Sequence, residues 1–342
     1  MYPGKPPSQA VALAKRALLW LSFGGPESAD EIWPFLERVT ANRGVPRERL
    51  EIVHRQYLEV GGASPINGQN RLLIHQIGTE LAALGVTLPV YFGNRNWHPL
   101  LRETVAQMAA DGIEDALAVA TSAFGSFSGC LQYQHDLAEA QIPFHYTKLP
   151  PFAGHPEFQR ALVETVLGAL DGVDPLHTAF IATAHSIPVS MANFSPYERQ
   201  LAVARTRLEA EISRVLGTGI SIQQSFQSRS GSPAESWLEP DISAAIAALG
   251  EKRPEVTTVV VIPIGFITDH QEVRYDLDVL ARNAATAAGL EFVRTPTPGT
   301  SPLLPKLIAD LTAAWYRGQN PAAQLPLEPP TCFPGCCRPH SA

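Results

Sequence analysis

Short runs of apolar residues alternate with amphipathic stretches along this chain, in two successive series. The runs 17–21, 88–92 and 116–120 are apolar at every position or nearly so, and 180–183 and 257–262 repeat the pattern later. A strand with no polar face must be covered on both sides, which is the condition of a parallel sheet between helices. Helical stretches follow these runs, at 29–38 with Ser28 as N-cap, and at 99–111, 156–170, 196–216, 272–288 and 302–316, with a further strand at 220–225. Two βα series predict an α/β fold of two Rossmann-like halves, each a parallel sheet flanked by helices, with a cleft between them. The expected divisions are a tail at 1–16, halves at 17–150 and 151–318, and a proline-rich extension at 319–342. The last helix has the option of packing back on the first half.

At 342 residues and 45% hydrophobic, the chain can bury a large core. Its net charge of −7 argues against a general nucleic-acid binder. No apolar run approaches the roughly 20 residues that span a bilayer. The opening Met1-Tyr2-Pro3-Gly4-Lys5-Pro6-Pro7 lacks the apolar stretch of a secretory signal, so a cytoplasmic protein is expected, and a monomer. No dinucleotide or phosphate-loop glycine pattern is present.

Two motifs at strand ends carry the chemistry. Thr183-Ala184-His185-Ser186-Ile187-Pro188 ends one apolar run, and Pro263 to Glu272 ends another. Open α/β sheets bind ligands beyond the carboxyl ends of their strands. An imidazole there is suited to accepting a proton near neutrality, although a histidine at a strand end is also a common structural residue. Asp269, Glu272, Asp276 and Asp278 place four carboxylates within ten residues, with His270 among them. Glu272 and Asp276 share a helical face, where like charges repel unless a cation or proton visits. The plainer alternative is that acids favour a helix N-terminus.

The cysteines form a second pattern. Cys332, Cys336 and Cys337 lie within six residues, and Cys130 is the one thiol elsewhere. A disulfide framework is not expected in a reducing compartment. Thiols at this density read as a soft-metal site, a four-thiolate zinc site or a reactive tail.

The motifs together resemble the ferrochelatases, which insert ferrous iron into a porphyrin. Ser22-Phe23-Gly24-Gly25-Pro26-Glu27, Gly61-Gly62-Ala63-Ser64-Pro65-Ile66-Asn67, Tyr91 to Trp97, Thr121-Ser122-Ala123-Phe124 and Gln227-Ser228-Arg229 fit the family in unbroken order. The nearest flavour is the actinobacterial type, mostly coproporphyrin III ferrochelatases with a class II chelatase-like fold. The resemblance implies that His185 and Glu272 are catalytic, and that His185, Asp269, His270, Glu272 and Asp276 line an iron path. It implies porphyrin contacts from Phe23, Ser64, Arg95 and Phe124. Arg43, Arg47, Ser126, Ser128 and Tyr133 are added as cationic or hydroxyl partners for porphyrin carboxylates. Phe23 departs from some relatives, which carry a tyrosine able to coordinate metal; phenylalanine offers only a ring to stack. A 2Fe–2S cluster on Cys130, Cys332, Cys336 and Cys337 is a further implication, with ferrous iron as substrate. Coproporphyrin III is the expected macrocycle, with protoporphyrin IX the alternative and transient contacts to neighbouring haem-pathway enzymes. A porphyrin carrier would need neither a proton acceptor nor a carboxylate row. A cobalt or nickel chelatase fits the paired motifs less well.

Overall fold

The computed structural model describes residues 14–41, 44–231, 234–325 and 337. Among the described residues, eight strands form two four-stranded sheets, each entirely parallel. The first holds β1 (Arg16–Ser22), β2 (Val90–Asn94), β3 (Asp115–Ala120) and β4 (His145–Lys148) in the order β2-β1-β3-β4. The second holds β5 (Thr178–His185), β6 (Ile222–Gln227), β7 (Thr258–Ile262) and β8 (Glu291–Arg294) in the order β6-β5-β7-β8. Both sheets therefore share one winding, in which the first strand is central and the second lies outside it.

The apolar runs supply the central strands. β1 and β7 are buried almost throughout, as a strand covered on two faces must be. One face of β1 and β3, through Leu18, Trp20, Leu117 and Val119, enters a large core that also takes Phe180, Ala182, Val260 and Ile262 from the second sheet. The opposite faces have smaller cores of their own. The helix Leu303–Tyr316 lies in the shared core and packs on the helix Ile66–Ala83 of the first half. Arg317 donates to the Leu84 carbonyl at 2.8 Å, closing the same contact.

Several elements escape the apolar pattern. The edge strands β4 and β8 have four residues each and a half-exposed profile, so they carry no apolar run. The helices Arg47–Glu59, Ile66–Ala83, Gln132–Glu139 and Ile242–Lys252 are among the others. Arg47 begins the first of these helices, with its guanidinium 5.0 Å from the Trp33 ring. The helix expected at 272–288 is interrupted by a π segment, Arg274–Ala281, between Gln271–Val273 and Arg282–Ala287.

Two glycines seat the loops that leave the central strands. At Gly25, after β1, a Cβ would stand 2.8 Å from the Ser64 Cβ, so the first loop lies directly on the Ser64 segment. At Gly265, after β7, a Cβ would stand 2.5 Å from the Ala184 Cβ. The loop from β7 thus runs against the end of β5, and its Gly265 N–H donates to the Thr183 carbonyl at 3.3 Å.

Candidate active site

That close approach brings the two motifs together. His185 is the last residue of β5, and Glu272 lies in the first turn of the helix that follows the β7 loop. His185 Nε2 is 3.5 Å from Glu272 Oε2. The other ring nitrogen, Nδ1, makes a short contact with the Ser186 carbonyl oxygen, which fixes the ring plane and leaves Nε2 toward the carboxylate. Tyr197 donates to the His185 carbonyl at 3.0 Å. The pair is not sealed: 34% of the imidazole and 51% of the Glu272 side chain remain exposed.

The charges follow from this geometry. Burial works against the charged imidazole, but the hydrogen bond and charge of Glu272 outweigh it, and His185 titrates above its ordinary value. Burial likewise opposes a charged Glu272, yet His185 and His270 hold its carboxyl down at about 2. His270 caps the helix by accepting the Glu272 N–H at 3.2 Å, and burial lowers its proton affinity. Burial, with Glu272 adding repulsion, pushes Asp276 up to about 6 against the opposing hydrogen bond from Ser228. The site therefore holds one firmly ionised carboxylate, one carboxyl raised to about 6, and an imidazole whose proton affinity is raised.

Ser228 supports Asp276 from the end of β6. Its backbone is left-handed, at φ 63°, unusual for a residue with a side chain. Its hydroxyl donates to Asp276. Gln227 beside it accepts from Thr183 Oγ1 at 3.3 Å. Ser228 stood within a sequence motif, but nothing in its type announced this contact.

Asp269 is committed elsewhere. Both of its oxygens meet Arg294 at 3.1 Å, and Arg294 also binds Asp278 at 2.6 and 3.2 Å. Asp269 is thus held in an ion pair instead of standing open in the carboxylate row. Arg294 carried no sequence signal, because it sits in the short edge strand β8.

The first half contributes the facing wall. Tyr57 lies buried in the helix Arg47–Glu59; burial raises its phenol, and the Glu272 charge raises it further. Phe23 is 40% exposed on the loop after β1, with its ring 6.5 Å from Phe35. Arg95 pairs with Asp136 at 2.6 Å and lies 4.1 Å from the Tyr133 ring, while its Nη2 is buried without a partner. Ser64 is buried against Gly25. Phe124 lies in the core against Phe158 and Tyr197, and Ser126 accepts the Gly129 N–H as an N-cap, so neither presents a free face. A polar cluster missed in the sequence braces this wall: Trp20 donates to Asn70 at 2.7 Å, and Asn94 to Asn67 at 3.1 Å. A separate cavity of about 310 Å³, lined by Glu198, Arg205, Gln224 and Glu239 among others, lies at the outer edge of β6 and shares no residue with the pair.

Arg43, Cys332 and Cys336 fall outside the described residues. Cys130 lies in the turn Phe127–Leu131 and accepts from Lys148 Nζ at 3.3 Å. Cys337 is buried, and its N–H donates to the Phe194 carbonyl at 2.6 Å. Among the described residues no three potential ligands converge on a metal position.

The fold is that of the chelatases. A solved structure of CbiX, described as the terminal enzyme for biosynthesis of siroheme in denitrifying bacteria, superposes with a TM-score of 0.50 at 17% identity, covering 87% of this chain and 99% of that one. The sirohydrochlorin chelatase SirB from Bacillus subtilis subspecies spizizenii, in complex with cobalt, gives 0.51 at 9% identity, covering 89% and 98%. Within that fold the sequence is more specific. It matches the Ferrochelatase family model over residues 15–314. Proteins named coproporphyrin III ferrochelatase are 42% identical in Nocardia farcinica, over 96% of this chain and 97% of that one, and 43% identical in Mycolicibacterium smegmatis, over 89% and 91%. This chain belongs to the ferrochelatase family.

Proposed function

We propose that this protein is a metal-inserting lyase that places ferrous iron into coproporphyrin III, giving the iron coproporphyrin of haem biosynthesis. One observation carries the reading: His185 and Glu272, from two different strand-to-helix connections, face each other at 3.5 Å on an open surface. Proteins 42% and 43% identical over most of the chain bear the coproporphyrin name. Protoporphyrin IX is the less favoured macrocycle.

Insertion needs two pyrrole protons removed and a hydrated cation delivered. A planar ring hides its nitrogen lone pairs, so a site that binds it distorted puts binding energy into the transition state. His185 and Glu272 flank the ring centre in this reading. Glu272 stays ionised and attracts the incoming cation, His185 exchanges protons through Nε2, and His270 and Asp276 stand outward along the iron path. Phe23 stacks on the macrocycle, and Arg95, which lies beside the Phe23 ring, is the cation for a porphyrin carboxylate. The halves 17–150 and 151–318 close on the ring from two sides.

Cys130, Cys332, Cys336 and Cys337 would hold a 2Fe–2S cluster. Thiolate ligation is ordinary for such clusters. Two observations fit the donor set. The Gly125 N–H donates to Gln200 at 2.7 Å and a Cβ on Gly125 would meet Pro196 at 2.8 Å, so the segment leading to Cys130 packs where the turn at 194–196 enters the helix Tyr197–Leu216. Cys337 bonds to Phe194 in that same turn. The cluster would supply a rigid link between tail and body and takes no part in insertion here.

No described helix is long and apolar enough to cross a membrane. A cytoplasmic monomer without nucleic-acid partners, meeting neighbouring haem-pathway enzymes transiently, completes the reading. Anaerobic insertion of Fe(II) into coproporphyrin III and protoporphyrin IX, measured side by side, tests it. Faster turnover of coproporphyrin III is expected. Equal or reversed rates would overturn the choice of macrocycle, and no insertion into either would overturn the function.

A further inference from the structure

We propose that Arg294 is a positioning residue for metal insertion, acting through Glu272. The inference rests on the reading of Glu272 given above. Arg294 ends β8, whose neighbour β7 leads into the loop that carries His270 and Glu272. Its guanidinium takes Asp269 with two nitrogens, both at 3.1 Å, and Asp278 with two contacts at 2.6 and 3.2 Å. Asp269 stands just before the helix and Asp278 lies within its π segment, so the two ties bracket Glu272. One tie fixes where the helix begins. The other fixes its rotation about its own axis, and hence where the Glu272 and Asp276 side chains are aimed. The start is held from the other half as well, since the Asp269 N–H donates to Gln69 Oε1 at 2.7 Å.

Stability alone is a poor account of this arrangement. The three side chains are only 15–29% exposed, and buried ion pairs of this kind are often no more stabilising than apolar residues of the same volume. What they supply is direction, because a guanidinium holds two carboxylates in fixed planes at once and an ammonium cannot. The site needs such direction. Glu272 is half exposed, and its contact with His185, at 3.5 Å, is too long to hold the helix by itself.

The test compares Arg294→Met, Arg294→Lys and Asp278→Asn with the parent enzyme, and combines Arg294→Met with Glu272→Gln. Thermal melts report folding, coproporphyrin III fluorescence titration reports binding, and anaerobic Fe(II) insertion gives kcat and KM. Arg294→Met is expected to bind porphyrin within about threefold of the parent and to lose kcat by about tenfold or more, the scale of a misaimed catalytic group. Lysine is expected not to rescue. In the Glu272→Gln background, Arg294→Met is expected to cost less than about twofold further, since both changes disable one unit. Parent-level kcat in Arg294→Met, rescue by lysine, or the same fold-loss in both backgrounds would each overturn the proposal. Should the methionine variant fail to fold, Asp278→Asn takes its place in the same cycle, with the same expected and opposing outcomes. Full turnover by Glu272→Gln alone would bring down the reading of Glu272, and this role for Arg294 with it.

Discussion

Two side chains 3.5 Å apart set opposite demands on their protons, and the demands can be read in solution. Burial opposes the His185 charge, but Glu272 prevails and raises its proton affinity. A base must be neutral to act, so kcat/KM is expected to fall as pH drops through the raised His185 value. In Glu272→Gln the raising partner is gone, and the imidazole titration, followed by NMR, is expected to move to lower pH. An unmoved titration would separate the two residues. His185→Ala is expected to lose about a hundredfold or more in turnover while coproporphyrin III still binds within tenfold, because a proton acceptor acts on the chemical step. Asp276 gives a stability prediction of the opposite sign to the usual carboxylate. Its folded value is raised, mainly by burial, from the ordinary 3.8 to about 6, so its contribution is fully present below 3.8 and lost as pH rises through 6. Asp276→Asn is therefore expected to raise the Tm at pH 7 by roughly 2 °C or more and to leave it unchanged near pH 4. Equal melting of both proteins at pH 7 would show that Asp276 carries no such penalty. His185 and Glu272 were legible in the sequence because each closes a motif beyond an apolar run. Ser228 and Arg294 were not, since their work lies in partners that only the fold brings near.

The elements explain which parts of the fold could be read. Central strands such as β1 and β7 have no polar face and announce themselves. β4 and β8 pair on one side only and are half exposed, so hydrophobic patterning passes over them, and Arg294 with them. The π segment was equally invisible, because a widened turn has no compositional mark. The spacing of Glu272 and Asp276 suggested one continuous helical face; the wider turn instead carries Asp276 to Ser228. Gly265 is the element-level hinge of the site. A methyl group there would stand 2.5 Å from the Ala184 Cβ and 2.8 Å from its Cα, and backbone cannot yield cheaply. Gly265→Ala is expected to cost about 1–3 kcal/mol, seen as a lower urea midpoint, and to depress insertion beyond what that loss explains by parting His185 from Glu272. A variant with the parent's midpoint and rate would mean that the β7 loop has room to shift.

At the scale of the whole molecule, one core joins both sheets through the helix Leu303–Tyr316, and the chain beyond that helix meets the body again at Cys337. Cys337 reaches the Phe194 carbonyl at 2.6 Å, in the turn against which the segment before Cys130 packs. The backbone of Cys337 and the segment before Cys130 thus meet one region, with Cys332 and Cys336 between the two cysteines in sequence order. If these four hold a 2Fe–2S cluster, the link should stabilise the fold by tying a long loop, as any bound group does that favours the native state. The protein purified anaerobically is expected to be red-brown, with a visible absorbance band before porphyrin is added. Cys130→Ser and Cys336→Ser are each expected to abolish that band and to lower the Tm by similar amounts, since each removes one of four ligands. Porphyrin affinity is expected to survive both changes, because the contact between His185 and Glu272 involves no thiol. A colourless protein carrying one zinc ion would assign the site to that metal instead. A Cys130 variant that keeps its colour would exclude the internal ligand and leave the tail as a site of its own.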